Sequence, residues 1–282
     1  MPQILYPPAR PQTVREVLDT GWLIFKATVG STLSYAMLMS LATELPSLYS
    51  LALGRPLPTQ DQTDPQWWAW GITGLILSLW LWGALMLRQK ALVAGERANT
   101  VMELKGAVIQ LSRLIAVAAL WLVAVVVALG PYIAGTQLAG LDGVQSAADA
   151  LKALALSPLT LPAAWLSVAL MFAPMLVVLR REGPLDALGS SLRLVRGHWW
   201  RASVVTGVAF LGLFALVIVV AVIAGVVVGL AGVADLRLVE LVAMPLGVVC
   251  SALSFTVMSA MMLALLGDLR VRLEARQSGP LS

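Results

Sequence analysis

The chain has 282 residues, of which 59% are hydrophobic and only 12% are charged, and its mean hydropathy is +0.87. This composition excludes a soluble globular domain and a disordered chain. The net charge is +4 and the isoelectric point is near 9.6, but the basic residues flank apolar stretches, so we do not infer nucleic-acid binding.

Six stretches contain no Asp, Glu, Lys or Arg: 27–43, 65–87, 114–141, 153–179, 202–234 and 241–267. The first has 17 residues and each of the others has at least 23. A helix needs about 20 apolar residues to cross a hydrocarbon core about 30 Å thick. The sequence therefore predicts an all-α polytopic membrane protein, with one domain over residues 1–282. The six predicted spans are residues 28–49, 67–87, 114–134, 159–179, 203–230 and 239–266.

The basic residues predict the orientation of these spans. Sixteen Lys and Arg residues fall on the side that holds both termini, and three fall on the other side. With the acidic residues included, the two faces carry net charges of +8 and −4. Since basic residues are enriched in cytoplasmic segments, we expect the N- and C-termini to lie in the cytoplasm.

An amphipathic helical pattern precedes each odd-numbered span. The first runs from Val14 to Phe25 and the second from Leu104 to Ile115. In the third, the apolar stripe consists of Leu185, Leu188, Leu192, Val195 and Trp199. The predicted architecture is three helical hairpins, each preceded by a helix that lies in the membrane plane.

Glu44 is the acidic residue closest to the middle of an otherwise apolar segment, and an intramembrane carboxylate is a functional candidate. The rise from Lys26 to Glu44 is roughly 27 Å, which puts the carboxylate at the outer interface. If the span begins near Gly30 instead, the rise is about 21 Å and the carboxylate is submerged as a possible intramembrane polar site. We favour the interfacial position.

The ionisable and nucleophilic residues form no recognisable catalytic group. His198 is the only histidine and Cys250 the only cysteine, so neither a transition-metal site nor a catalytic triad is indicated. We assign no catalytic, cofactor-binding or metal-binding residue, and we expect the chain not to be an enzyme. Gly225 and Gly229 have the spacing of a helix-packing motif, for which we favour packing within the chain over a homodimer.

The segment from Gly183 to Arg201 resembles part of the bacterial glycerophosphoryl diester phosphodiesterase membrane-domain family and its YciC-like relatives. The matching positions are Gly183, Pro184, Ala187, Leu188, Ser191, Leu194, Arg196, Gly197, Trp200 and Arg201. The segment from Thr13 to Leu48 is similar to the opening of that family. The resemblance implies a six-helix domain of the bacterial inner membrane that works near lipids, without the soluble phosphodiesterase domain of some members.

Together these features predict a non-enzymatic inner-membrane protein that acts on or with lipids or partner membrane proteins. The residues expected to contact anionic lipids of the inner leaflet are Arg193, Arg196, Arg201, Trp199, Trp200, Lys105 and Arg113. The alternative is a transporter or channel for a neutral or lipidic solute. Ionisable residues within the spans would favour that alternative, and the sequence places almost none there.

Overall fold

The structure, a computed structural model, describes residue 6 and residues 8–53, 64–141, 146–230 and 236–277. The regular elements in this part of the chain are all helical. Their bounds are α1 Val14–Thr43, α2 Leu45–Ala52, α3 Pro65–Val93, α4 Thr100–Leu138, α5 Ala147–Leu156, a 3₁₀ turn at Ser157–Thr160, α6 Leu161–Leu170, α7 Ala173–Arg180, α8 Pro184–Val195, α9 Trp199–Leu230 and α10 Leu236–Gln277.

Five helical stretches among the described residues are long and apolar enough to cross a membrane. They are Pro65–Val93, Thr100–Leu138, Ala148–Arg180, Trp199–Ile223 and Met244–Arg276. The prediction of an all-α chain with several membrane-length apolar helices is therefore confirmed, and a multi-pass membrane protein is indicated. The first predicted span, 28–49, falls on α1 and α2 and is not one of these five.

The predicted in-plane helices differ in how they join the spans that follow. The stripes that begin at Val14 and Leu104 lie within the continuous helices α1 and α4, which have 30 and 39 residues. Only the third stripe begins a separate helix, α8, because the chain leaves helical geometry after Val195. Gly197, with φ of 81°, takes the left-handed conformation that this turn requires. The first two stripes therefore do not form separate helices, and the arrangement of three hairpins, each preceded by an in-plane helix, stays a prediction.

The fourth predicted span, 159–179, is interrupted. α6 ends at Leu170, and α7 begins at Ala173 with Pro174 in its first turn. Proline has no N–H to donate to the carbonyl four residues earlier, and its ring crowds that carbonyl, so the helix breaks there.

The chain divides into two compact units: Met1–Leu111 with Val204–Ser282, and Ser112–Ser203. The single domain expected from the sequence stays a prediction. In the first unit α1 packs against both α3 and α10. Gly74 of α3 lies directly against the backbone carbonyl of Ala42, where a larger side chain would clash.

The second unit contains α5, α6, α7 and α8. α8 packs on α6 and α7, and these contacts place the turn after α8 beside α6.

Candidate lipid-contact site

α8 and the turn that follows it hold most of the residues expected to contact lipid. Gly183 precedes the helix in an extended conformation, and Pro184 occupies its first turn, where a missing N–H costs no hydrogen bond. Asp186 lies in the first turn and Arg193 in the last, so both charges complement the helix dipole. The sequence thus specifies both ends of α8.

One side of α8 packs on protein. Its buried residues are Ala187, Ser191, Leu194 and Val195. The Ser191 hydroxyl donates a 2.7 Å hydrogen bond to the carbonyl of Ala169 in α6. Two small side chains, Ala187 and Ser191, allow this close approach, and the hydroxyl satisfies a backbone acceptor at the interface.

A second side of α8 is apolar but exposed. Leu185 is 73% exposed and Leu192 is 37% exposed, with the half-buried Leu188 between them along the helix. At about 100° per residue these three leucines form one sector that adjoins the buried one. The predicted stripe is therefore divided, because Val195 is buried in protein while the three leucines are not fully covered by it.

A pocket of about 280 Å³ lies where α6, the end of α8 and the start of α9 meet. It is lined by Trp165, Ala169, Leu192, Arg193, Val195, Arg196, Gly197 and Trp199. The indole N–H of Trp199 donates to the carbonyl of Trp165 at 3.2 Å, which joins α9 to α6 beside the pocket. Two tryptophans and two arginines thus line one small cavity.

The structure brings some of the predicted lipid-contact residues together in this pocket. Arg193 and Arg196 are exposed at its wall, and Nη2 of Arg193 donates to the Ser190 hydroxyl at 3.1 Å. Trp200 packs edge-on against Trp199 with ring centres 4.8 Å apart, and it is 76% exposed. Arg201 is half-buried in the following turn and does not line the pocket.

The two basic residues predicted on α4 lie elsewhere. Lys105 is exposed and belongs to the other compact unit. Arg113 donates from Nη1 to the carbonyl of Arg181 at 2.9 Å. Arg181 has φ of 59° at the end of α7, so Arg113 supports a helix terminus whose carbonyls lack helical partners. Arg113 has a structural contact in addition to its predicted lipid contact.

Glu44 lies at the junction of α1 and α2. It is half-buried, and its side chain makes no capping hydrogen bond to α2. Its position relative to the bilayer stays a prediction.

We expect Glu44→Gln to leave the yield of folded protein and any transport phenotype unchanged, as measured by size-exclusion chromatography and growth of the host strain. A loss of function in folded protein would instead indicate a submerged, working carboxylate.

Gly225 lies in α9, and among the described residues nothing comes within 4 Å of the position that a Cβ would take there. Its predicted packing within the chain is not seen at that position, and the side-chain environment of Gly229 lies outside the described residues. Use of this motif between copies stays a prediction.

Sequence reasoning missed a buried ion pair in the first unit. Nε of Arg88 lies 2.8 Å from Oε2 of Glu103, and the two side chains are only 12% and 7% exposed. The phenol of Tyr35 donates to the same carboxylate oxygen at 3.0 Å, and the guanidinium lies over the phenol ring. The local sequence feature that points to Glu103 is Asn99. Its side chain caps the start of α4, and its backbone N–H donates to the Glu103 carboxylate. That pattern predicts the helix end but not the partner on α3.

A second missed cluster joins the two ends of the chain. Asp268 of α10 is fully buried, and its carboxylate accepts from the backbone N–H of Gln12 at 2.7 Å and from Nε of Arg272 at 3.0 Å. Arg272 also donates from Nη2 to the carbonyl of Gln12 at 2.6 Å. The spacing of Asp268 and Arg272 is that of an ion pair on one helix, but it does not reveal the third partner.

Comparisons with protein-family models, with curated proteins and with solved structures gave no match. The resemblance to the phosphodiesterase membrane-domain family therefore stays a prediction.

Proposed function

We propose that the chain is a non-enzymatic integral protein of the bacterial inner membrane that contacts anionic lipids of the cytoplasmic leaflet. The proposal includes six spans with both termini in the cytoplasm, and it assigns the lipid contact to α8 and the turn into α9. Partner membrane proteins are a second expected class of contact.

The observation that carries this proposal is the arrangement of side chains around α8. One sector of the helix packs on α6 and α7, and a neighbouring sector consists of exposed leucines. Contact with acyl chains would remove these leucines from water, which is favourable for an apolar surface. Arg193 and Arg196 lie beside it, within reach of lipid phosphates.

The charge of this segment supports an anionic partner. Between Pro184 and Arg201 there are three arginines and a single acidic residue, Asp186. Each basic residue near an anionic bilayer surface contributes about 1 kcal/mol to association.

The test measures which lipids accompany the protein when it is extracted from bacterial membranes with a lipid-retaining copolymer. We expect Arg193→Glu with Arg196→Glu to lower the ratio of anionic to zwitterionic lipid relative to the wild type. The matched control, Arg15→Glu with Arg276→Glu, changes the net charge equally at exposed positions on α1 and α10. An unchanged ratio in the Arg193/Arg196 variant would remove the basis for this proposal.

The transporter alternative has one observation in its favour. The Arg88–Glu103–Tyr35 cluster is an ionisable group buried between α1, α3 and the start of α4, and buried charges often serve transport pathways. Its test is a lipid-scrambling assay in liposomes, in which dithionite bleaches fluorescent lipid of the outer leaflet. Under the proposed function the wild type bleaches no more lipid than empty liposomes do; extra bleaching that Glu103→Gln abolishes would favour the alternative.

A further inference from the structure

The pocket between α6, α8 and α9 combines two chemical features. Its lining includes two arginines, Arg193 and Arg196, and two tryptophans, Trp165 and Trp199. Guanidinium groups bind phosphate oxygens in pairs of charge-assisted hydrogen bonds. Indoles have an apolar body and a polar N–H, which suits the boundary between head groups and acyl chains.

The size of the pocket limits what it accommodates. Its volume of about 280 Å³ lies at the small end of ligand pockets, which commonly measure about 300–1,000 Å³. A head group fits such a volume, and two acyl chains do not. The chains would have to leave the pocket along an apolar surface.

Such a surface begins at the pocket wall. Leu192 lines the pocket and belongs to the exposed leucine sector of α8, which continues through Leu188 to Leu185. Trp165 of α6 is 50% exposed at the same pocket. A charged cavity is therefore continuous with an uncovered apolar path.

We propose that this pocket binds the phosphate head group of one anionic phospholipid, with its acyl chains along the leucine sector of α8. This inference rests on the proposed function, which requires anionic-lipid contact but no defined site. The recognised chemistry, a phosphate ester, is shared with soluble sugar and glycerol phosphates. The leucine sector selects the lipid, because a soluble ester has nothing to place on it.

The experiment counts bound lipids by native mass spectrometry of the full-length protein in neutral detergent, titrated with dioctanoyl phosphatidylglycerol. We expect one lipid to bind more tightly than any that follow. Leu192→Trp fills the pocket, and Arg193→Gln with Arg196→Gln removes its charge. Arg193→Gln with Arg196→Gln should weaken the first binding step about tenfold or more, since one charge-assisted hydrogen bond is worth about that factor. Leu192→Trp should also weaken it, because the larger side chain occupies the space of the head group.

Two matched variants keep the same chemistry outside the pocket. Leu151→Trp enlarges an exposed apolar side chain of α5, and Arg15→Gln with Arg276→Gln removes two exposed charges from α1 and α10, yet none of these residues lines the cavity. Both should bind the first lipid as the wild type does. Thermal unfolding of each variant checks folding, and Leu192→Phe replaces Leu192→Trp if the larger side chain destabilises the protein.

The outcomes separate the two proposals. A first lipid that Leu192→Trp binds as tightly as the wild type does, but that Arg193→Gln with Arg196→Gln binds more weakly, overturns the single site and leaves the proposed function intact. A wild type with no enrichment of anionic lipid overturns both. A third arm adds glycerol 1-phosphate; displacement of the lipid at equal concentration would show that the site takes soluble phosphate esters and would overturn the lipid as occupant.

Discussion

Glu103 and Arg88 form an ion pair in which both side chains are largely buried. Glu103 accepts hydrogen bonds from Tyr35 and from the backbone of Asn99, so its charge is compensated on several sides. Burying a carboxylate is costly unless it is paired in this way. The pair fixes the beginning of α4 against α3 and α1.

Removal of one partner should therefore be far more damaging than removal of an exposed charge. We expect Glu103→Ala to cost about 3–5 kcal/mol, the range for a buried pair that loses one member. Thermal unfolding in detergent measures the effect. The control is Asp19→Asn, because the Arg15–Asp19 pair spans 3.9 Å with side chains 93% and 68% exposed. Equal unfolding temperatures for the two variants would refute the structural importance of the buried pair.

Glu16 begins α1 in a reciprocal cap with Thr13. The Thr13 backbone N–H, the Thr13 hydroxyl and nearby Arg10 hold the pKa of Glu16 below its ordinary value of 4.5. A carboxylate with a lowered pKa stabilises the folded state above its unfolded pKa, and this contribution is lost as the pH falls through the folded pKa.

We thus expect amide exchange in the first turn of α1 to be faster in Glu16→Gln than in the wild type at neutral pH. The difference should shrink as the pH falls through the lowered pKa of Glu16, where the wild-type carboxylate becomes protonated. Hydrogen exchange followed by mass spectrometry measures it. A difference that is constant with pH would contradict a role for the charge of Glu16.

The sequence identifies helix caps better than it identifies pairs. Thr13 with Glu16 follows a local pattern of two residues three positions apart, which can be read directly. Arg88 and Glu103 are joined only after α3 and α4 have packed with α1, so no local spacing marks them. Asp268 is similar, because its third partner, Gln12, lies at the opposite end of the chain.

Among the elements, α8 is the one on which the proposed function depends. If it lies in the inner membrane surface, Leu185 and Leu192 face acyl chains, whereas Asp186 and Arg193 face water or head groups. Spin labels at single cysteines, introduced after Cys250→Ser, measure this through their access to oxygen and to a water-soluble nickel complex. We expect oxygen to dominate at Leu185 and Leu192 and nickel to dominate at Asp186. Nickel access at Leu185 equal to that at Asp186 would place α8 in water.

Helical periodicity predicted α8 but not which of its faces packs on protein. Ala187 and Ser191 add little to an apolar pattern. They nevertheless lie on the buried face, because their small side chains allow the helices to approach closely. The leucines carry the stronger hydropathic signal and remain at the surface. In a membrane protein hydrophobicity does not separate lipid-facing from protein-facing residues, since lipid is as apolar as the core.

Proline and glycine residues interrupt some of the helices but not others. The helix breaks just before Pro174, whereas Pro131 and Pro245 lie inside continuous helices. The break before α9 depends on Gly197, whose left-handed conformation is visible only in the structure. α1, in contrast, passes through Gly21 and Gly30 without interruption.

At the scale of the whole molecule, six spans were predicted from the length of the stretches that contain no charged residue. Five of the six predicted spans fall on helical stretches of membrane length. The first predicted span, 28–49, contains Thr28 and Thr32, whose buried hydroxyls donate to carbonyls of the preceding turn. These polar residues lower the apolar character of α1, which packs between α3 and α10. Because α1 is covered by two neighbouring helices, fewer of its side chains have to be apolar enough to face lipid.

The assignment of α8 to the cytoplasmic leaflet depends on the topology, because Arg193 and Arg196 meet the anionic inner surface only from that side. Sixteen basic residues on that side against three on the other favour this orientation. The most direct measurement is the activity of alkaline phosphatase, which is active only outside the cytoplasm, fused after Glu182 and, in a second fusion, after Ser282. Both fusions should be produced as stable protein and remain inactive. Activity after Glu182 would place α8 on the outer surface and contradict the proposed contact with the inner leaflet.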